Sequence, residues 1–163
     1  MNDVDILKKI EKKVLWLACW MIHNANHIRE NQDGLKVGGH QASSASIVSI
    51  MTALYFSFLR PEDRVAVKPH ASPVFHAIQY LSGLQTKEKI QNFRGFGGAQ
   101  SYPSRTKDID DVDISTGSVG LGVAMTSFIS LIQDYVARKK FYKNKPLGRM
   151  IALVGDAELD EGN

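Results

Sequence analysis

The sequence predicts an α/β fold, a parallel sheet flanked by helices, on three observations. Two apolar runs, "RVAVK" at 64–68 and "RMIALVG" at 149–155, have strand length and are bounded by turn residues. Stretches of helical periodicity alternate with them. Each run also ends against polar and small residues, "KPHASP" at 68–73 and "GDAELDEG" at 155–162, as expected where a parallel sheet presents its carboxyl edge to ligands.

The elements follow in order. Ile6, Ile10, Val14, Leu17, Met21 and Ile28 recur at helical steps and predict a long amphipathic helix over 4–29, with Trp16 and Trp20 as core anchors. "SSASIVSIMTALYFSFL", 43–59, opens on hydroxyl residues and becomes apolar nearly all round, which predicts a buried helix ended by Pro61. After the first strand, Ser72-Pro73 reads as an N-cap and first-turn proline of a helix to about Ser82, and Thr86 as the cap of a short helix to Phe93. The stretch 94–113 is a long loop, of the kind that is usually functional or mobile. A helix over 119–142 and the second strand complete the pattern.

Composition removes several function classes. With 44% hydrophobic and 23% charged residues, 163 residues can bury a real core. Lys and Arg exceed Asp and Glu by only three, and no basic run is interleaved with aromatics, so no nucleic-acid surface is expected. The basic cluster 138–145 reads as charge complementing a helix C-terminus. A single cysteine, Cys19, excludes an internal disulfide framework and, with no signal-like start, leads to an expected cytoplasmic setting; no apolar run approaches a membrane span. "KDIDDVD", 107–113, lacks the glycine and distal glutamate of a calcium loop and reads as a solvated loop, while His23, His27 and His76 read as capping or packed residues.

Two segments carry chemistry. "STGSVGLG", 115–122, offers glycines, hydroxyls and a following helix, the ingredients of a phosphate cradle. A nicotinamide-binding reading, prompted by Tyr135 and Lys139, fails because that glycine loop belongs after a first strand and its Tyr/Lys pair far downstream. "GDAELDE" places Asp156 directly after a buried strand, which suits Mg²⁺ shared with phosphate oxygens, or the N-cap of a next helix.

The order Gly39-His40, Lys68-Pro69-His70-Ala71-Ser72-Pro73, Phe93-Arg94, Ser101-Tyr102-Pro103, the 115–122 loop and Gly155-Asp156-Ala157-Glu158 resembles the diphosphate-binding domain of the transketolase superfamily. Within it the chain is most similar to the homodimeric pyruvate dehydrogenase component that uses thiamine diphosphate, over about residues 12–163. Transketolases usually carry Gly-His-Pro-Gly, Gly-His-Gly-Ser and His-Pro where this chain has "GGHQ", "PHAS" and Tyr102-Pro103.

The resemblance implies a thiamine diphosphate-binding fold with the chain as its amino-terminal portion. Thiamine diphosphate and Mg²⁺ are the cofactors it implies. It implies that His40 and His70 face the reacting centre, that Ser43 and Tyr102 contact the diphosphate, that Gly117, Ser118 and Val119 run along the cofactor, and that Asp156 binds Mg²⁺ within the segment Gly155, Asp156, Ala157 and Glu158. Glu161 corresponds to an acidic residue joining two active sites at a subunit interface. The implied activity is decarboxylation of a 2-oxo acid, pyruvate first, with a lipoyl acyl carrier as acceptor and a homodimer as assembly. The alternatives are two-carbon transfer between sugar phosphates and a non-catalytic interaction subunit. Two departures stand out: Ala157 replaces a usual glycine, and the motif's later asparagine and the pyrimidine-binding domain do not occur within the 163 residues, so the chain alone is expected to be inactive. In the loop 97–105 the only charge is Arg105, which the sequence reading takes to disfavour a sugar-phosphate dianion.

Overall fold

The computed structural model describes residues 3–31, 34–141 and 146–160. Helix α1 (Asp3–His23) continues through one π-turn to Ile28, much as its periodicity predicts. Its buried residues, Val14, Ala18, Met21, Ile22 and Ala25, share one face. Trp16 lies two residues from Val14, on the opposite side, and is 64% exposed, so it is no core anchor; it stacks on the half-buried Trp20.

The helix predicted over 43–59 is broken. It forms α2 (Gln41–Ala45), a turn at Ser46-Ile47, α3 (Val48–Ala53) and a π-turn to Phe58. Only one side is buried; Ile50 and Phe58 are exposed. Strand β1 (Arg64–Ala66) leads through a 3₁₀ turn, Pro69–Ala71, into α4 (Ser72–Leu81). Ser72 is the first residue of α4 and not its cap; the cap position is Ala71, and the buried Ser72 hydroxyl has no hydrogen-bond partner. Thr86 does cap α5 (Lys87–Gln91), its hydroxyl accepting from Lys89 N at 3.3 Å. The last elements are α6 (Leu121–Arg138) and β2 (Met150–Ala152).

The sheet is parallel, as predicted: Arg64, Val65 and Ala66 pair with Met150, Ile151 and Ala152, and Ala66 also pairs in parallel with Ile114. An ionic clasp fixes this register. Buried Asp63 accepts from Arg149 N (2.8 Å), Arg149 Nη2 (2.5 Å) and Arg60 N (2.9 Å). The Arg149 hydrogen bonds hold its carboxyl well below the usual carboxylate range. The core lies between α1, α3, α4 and the β1 face, centred on Met21, Met51, Phe75, Ile78 and Phe93.

Candidate functional site

The carboxyl ends of the strands gather the segments singled out by sequence. Asn26, in the π-turn after α1, binds both sides of the Gly38-Gly39 pair: Oδ1 accepts from Gly38 N at 2.6 Å and Nδ2 donates to Gly39 O at 3.2 Å. Gly38 is required there, because a Cβ would stand 2.4 Å from Ile22 O. His40 follows at the cap position of α2, and Ser44 of α2 donates to His70 O at 3.3 Å, tying that helix to the turn after β1. His40, Ser43, His70 and Tyr102 therefore line one cleft of about 210 Å³.

Tyr102 reaches this cleft because the 94–113 loop is anchored and not solvated. Buried His76 on α4 contacts Gln100 O through Nε2 (2.8 Å) and Asp110 Oδ2 through Nδ1 (2.7 Å). A carbonyl only accepts, so Nε2 is the donor to Gln100 O. Gln85 donates to the same Asp110 oxygen at 2.9 Å. Asp108 accepts from Gln100 N (2.9 Å) and Ser104 N (2.8 Å), and Asp113 from Val65 N (2.9 Å). Burial pushes the carboxyls of Asp108 and Asp113 up. The expectation of a solvated "KDIDDVD" is thus overturned: three of its aspartates hold backbone or buried side chains. His76, Asp108 and Asp110 offer ligand atoms within 4.8 Å of one another, but Asp156 is not among them.

Behind the cleft lie the other predicted segments. Thr116 donates to Val67 O at 3.3 Å, placing the loop with Gly117, Ser118 and Val119 beside the end of β1. Gly120, with φ of 76°, turns the chain into α6, whose first turn starts at the strand ends. After β2, residues 156–160 form a 3₁₀ turn in which Asp156 and Ala157 are exposed. The Glu158 carboxylate turns back to accept from Gly155 N at 3.0 Å. A Cβ on Gly155 would lie 3.0 Å from Lys68 Nζ, so the two strand ends meet across this glycine. Ala157 is not among the residues with positive φ, and a methyl group is accommodated there without backbone strain. None of Gly117, Ser118, Val119 or Gly155–Glu158 lines the His40 cleft; Glu161 lies outside the described residues.

The sequence reading missed the cation of the cleft. Arg105 lies in a different hollow, with Asp111 and Asp113. Arg94 lines the cleft instead, and Lys36 and Arg94 line the hollow that adjoins it through Gly39 and His40. "NFRG" displayed the arginine, but nothing local in it announces the left-handed backbone, φ 59°, that aims the side chain.

The fold and its strand-end site define a helix-flanked parallel sheet with histidines, hydroxyls and the exposed Asp156 carboxylate at the edge. No protein-family model matches the chain. The chain is similar to the pyruvate dehydrogenase E1 component of Mycolicibacterium smegmatis, 28% identical over 171 residues. Its similarity to the enzyme of that name from Escherichia coli K12 is 26% over 169 residues. In both cases 98% of this chain is matched, and the chain spans 18% of the length of the relative.

Proposed function

We propose that this chain is the diphosphate-binding portion of a thiamine diphosphate- and Mg²⁺-dependent 2-oxo acid dehydrogenase component, with pyruvate as substrate. The observation that carries this reading is the convergence of His40, Ser43, His70 and Tyr102, from three separate segments of the sequence, on one cleft. The relatives' name supports pyruvate as the substrate.

The residues fit the cofactor's chemistry. The N-terminus of α6 lies against β1, where a Cβ on Gly122 would stand 3.4 Å from Ala66 Cβ, Lys68 brings positive charge against Gly155, and exposed Asp156 offers the carboxylate a hard cation prefers. When bound, thiamine diphosphate supplies the acidic thiazolium carbon on which 2-oxo acid decarboxylation depends. In this reading Ser43 and Tyr102 donate hydroxyl hydrogens to the diphosphate, Asp156 holds Mg²⁺, and His40 and His70 orient the 2-oxo acid and carry protons. Gly155 and Glu158 shape the turn that presents Asp156.

The chain acts as a segment of a longer protein, with a second copy as partner and a lipoyl acyl carrier as acceptor. Support for the homodimer comes from α6, which exposes Met125, Phe128, Ile132 and Tyr135 along one side. No helix among the described residues is long and apolar enough to cross a membrane.

A second reading, two-carbon transfer between sugar phosphates, is favoured by one observation: Arg94 in the cleft and Lys36 in the hollow beside it supply the cations that a phosphate dianion needs. The deciding experiment gives the longer protein carrying this segment pyruvate with a dye acceptor, and separately xylulose 5-phosphate with ribose 5-phosphate. Pyruvate oxidation without sugar-phosphate transfer is expected. Faster sugar-phosphate transfer would select the second reading, and neither reaction would select a non-catalytic role.

A further inference from the structure

Arg94 is a half-buried guanidinium with an unusual set of neighbours. Its Nη1 donates to Val37 O at 3.0 Å, and its Cζ lies 5.2 Å from the centre of the Phe93 ring. It rests against the Gly39 backbone, its terminal nitrogens 3.1–3.2 Å from where a Cβ of residue 39 would stand. Among the described residues its Nε is buried without a partner and no carboxylate pairs with it; the ion pairs there involve Arg60, Arg64, His76 and Arg149. Its backbone sits at φ 59°, a left-handed conformation a non-glycine residue seldom adopts, held by Arg94 N donating to Ala99 O at 2.9 Å.

The surroundings are rich in basic side chains. Three adjoining hollows meet at Gly39 and His40, and they are lined by His23, His27, Lys36, His40, His70 and Arg94; among the described residues no Asp or Glu lines them. Burial lowers the Arg94 pKa from its ordinary value, as expected for a cation that gives up water without gaining a counter-charge. A guanidinium kept charged in a carboxylate-free cleft is a receptor for an oxyanion, which its planar fork can grip through two N–H groups.

We infer that Arg94 is the anion-holding residue of the cleft, binding the carboxylate or phosphoryl oxygens of whatever occupies it beside His40 and His70. This goes beyond the cofactor assignment and does not depend on it. Within that assignment, a 2-oxo acid carboxylate and a cofactor phosphate are the two sources of such oxygens.

The test uses the 163-residue chain without cofactor. Sodium pyruvate, inorganic pyrophosphate and, as a control for ionic strength, sodium chloride are titrated while the ring signals of His40 and His70 are followed by NMR. The expected result is saturable movement with pyruvate, pyrophosphate or both, and none with chloride. Arg94→Gln should weaken that binding by about tenfold or more, and Arg94→Lys, which keeps the charge but loses the fork, by about threefold. Arg105→Gln, in the separate hollow, should leave it unchanged. If Arg94→Gln unfolds, Arg94→Lys decides. Absence of saturable binding by both oxyanions, or binding by the folded Arg94 variants equal to that of the unchanged chain, overturns the inference. Oxyanion binding that survives while Mg²⁺ and thiamine diphosphate fail to bind would leave Arg94 assigned and remove the cofactor reading.

Discussion

The α1–α4 wall and the α6–β2 edge are built differently. On the first, α1 and α4 bury Val14, Met21, Phe75 and His76 almost completely, and the 94–113 loop is pinned to them by buried hydrogen bonds. On the second, Thr126 is the only buried residue of α6, and Met150, Ile151 and Ala152 of β2 are all half-exposed. Four residues of the candidate site stand on the finished wall, whereas the segment offered for diphosphate and metal stands on the open edge. The cleft is thus preformed by packing within this chain. The strand-end half keeps an unspent apolar face, and its final geometry depends on what covers α6.

The largest expected effect contrasts the two regions directly. Phe75→Ala removes a fully buried ring and should cost about 4 kcal/mol of unfolding free energy, whereas Phe128→Ala on exposed α6 should change it by less than about 0.5 kcal/mol. Denaturant unfolding measures both. Equal losses would mean that α6 is packed after all.

A smaller loss, about 3 kcal/mol, is expected for His76→Leu, which strands Asp110 in the interior and releases Gln100. Because the loop carries Tyr102, amide exchange over 99–113 should quicken while α1 amides stay protected. Uniform quickening would contradict a local anchor.

Next comes the clasp joining the regions. Asp63→Asn should cost about 2 kcal/mol near neutral pH, since a half-exposed arginine and backbone donors lose their ionised acceptor. The folded-state pKa of Asp63 lies below its unfolded value of 3.8, so its contribution is present above 3.8 and is lost as pH falls towards the folded value. The variant should therefore show a flatter acid limb in a stability-against-pH curve. An unchanged limb would show that other carboxylates govern acid unfolding.

What the sequence displayed follows from how local each cause is. Periodicity exposed α1, short apolar runs the two strands, the first-turn proline of Ser72-Pro73 the start of α4, and Thr86 the cap of α5. Positions 40, 43, 70 and 102, singled out through the family resemblance, line one cleft. The hidden features are long-range. His76 meets Asp110 across 34 residues and Asp63 meets Arg149 across 86, so no spacing rule could pair them. "KDIDDVD" looked solvated because its partners, Gln100, Ser104, His76 and Val65, come from other segments. Trp16 misled because a large aromatic residue was weighed above its angular position on α1, and the break at Ser46-Ile47 was masked by an apolar run with no glycine or proline.

The central claim is that the cleft and the strand ends together receive a Mg²⁺-bound diphosphate cofactor, and titration calorimetry of thiamine diphosphate into the longer protein carrying this segment tests it most directly. The account predicts binding that requires Mg²⁺ and weakens by about tenfold or more, about 1.4 kcal/mol, in Asp156→Ala. Binding indifferent to Mg²⁺ or to Asp156, or no binding at all, would contradict it.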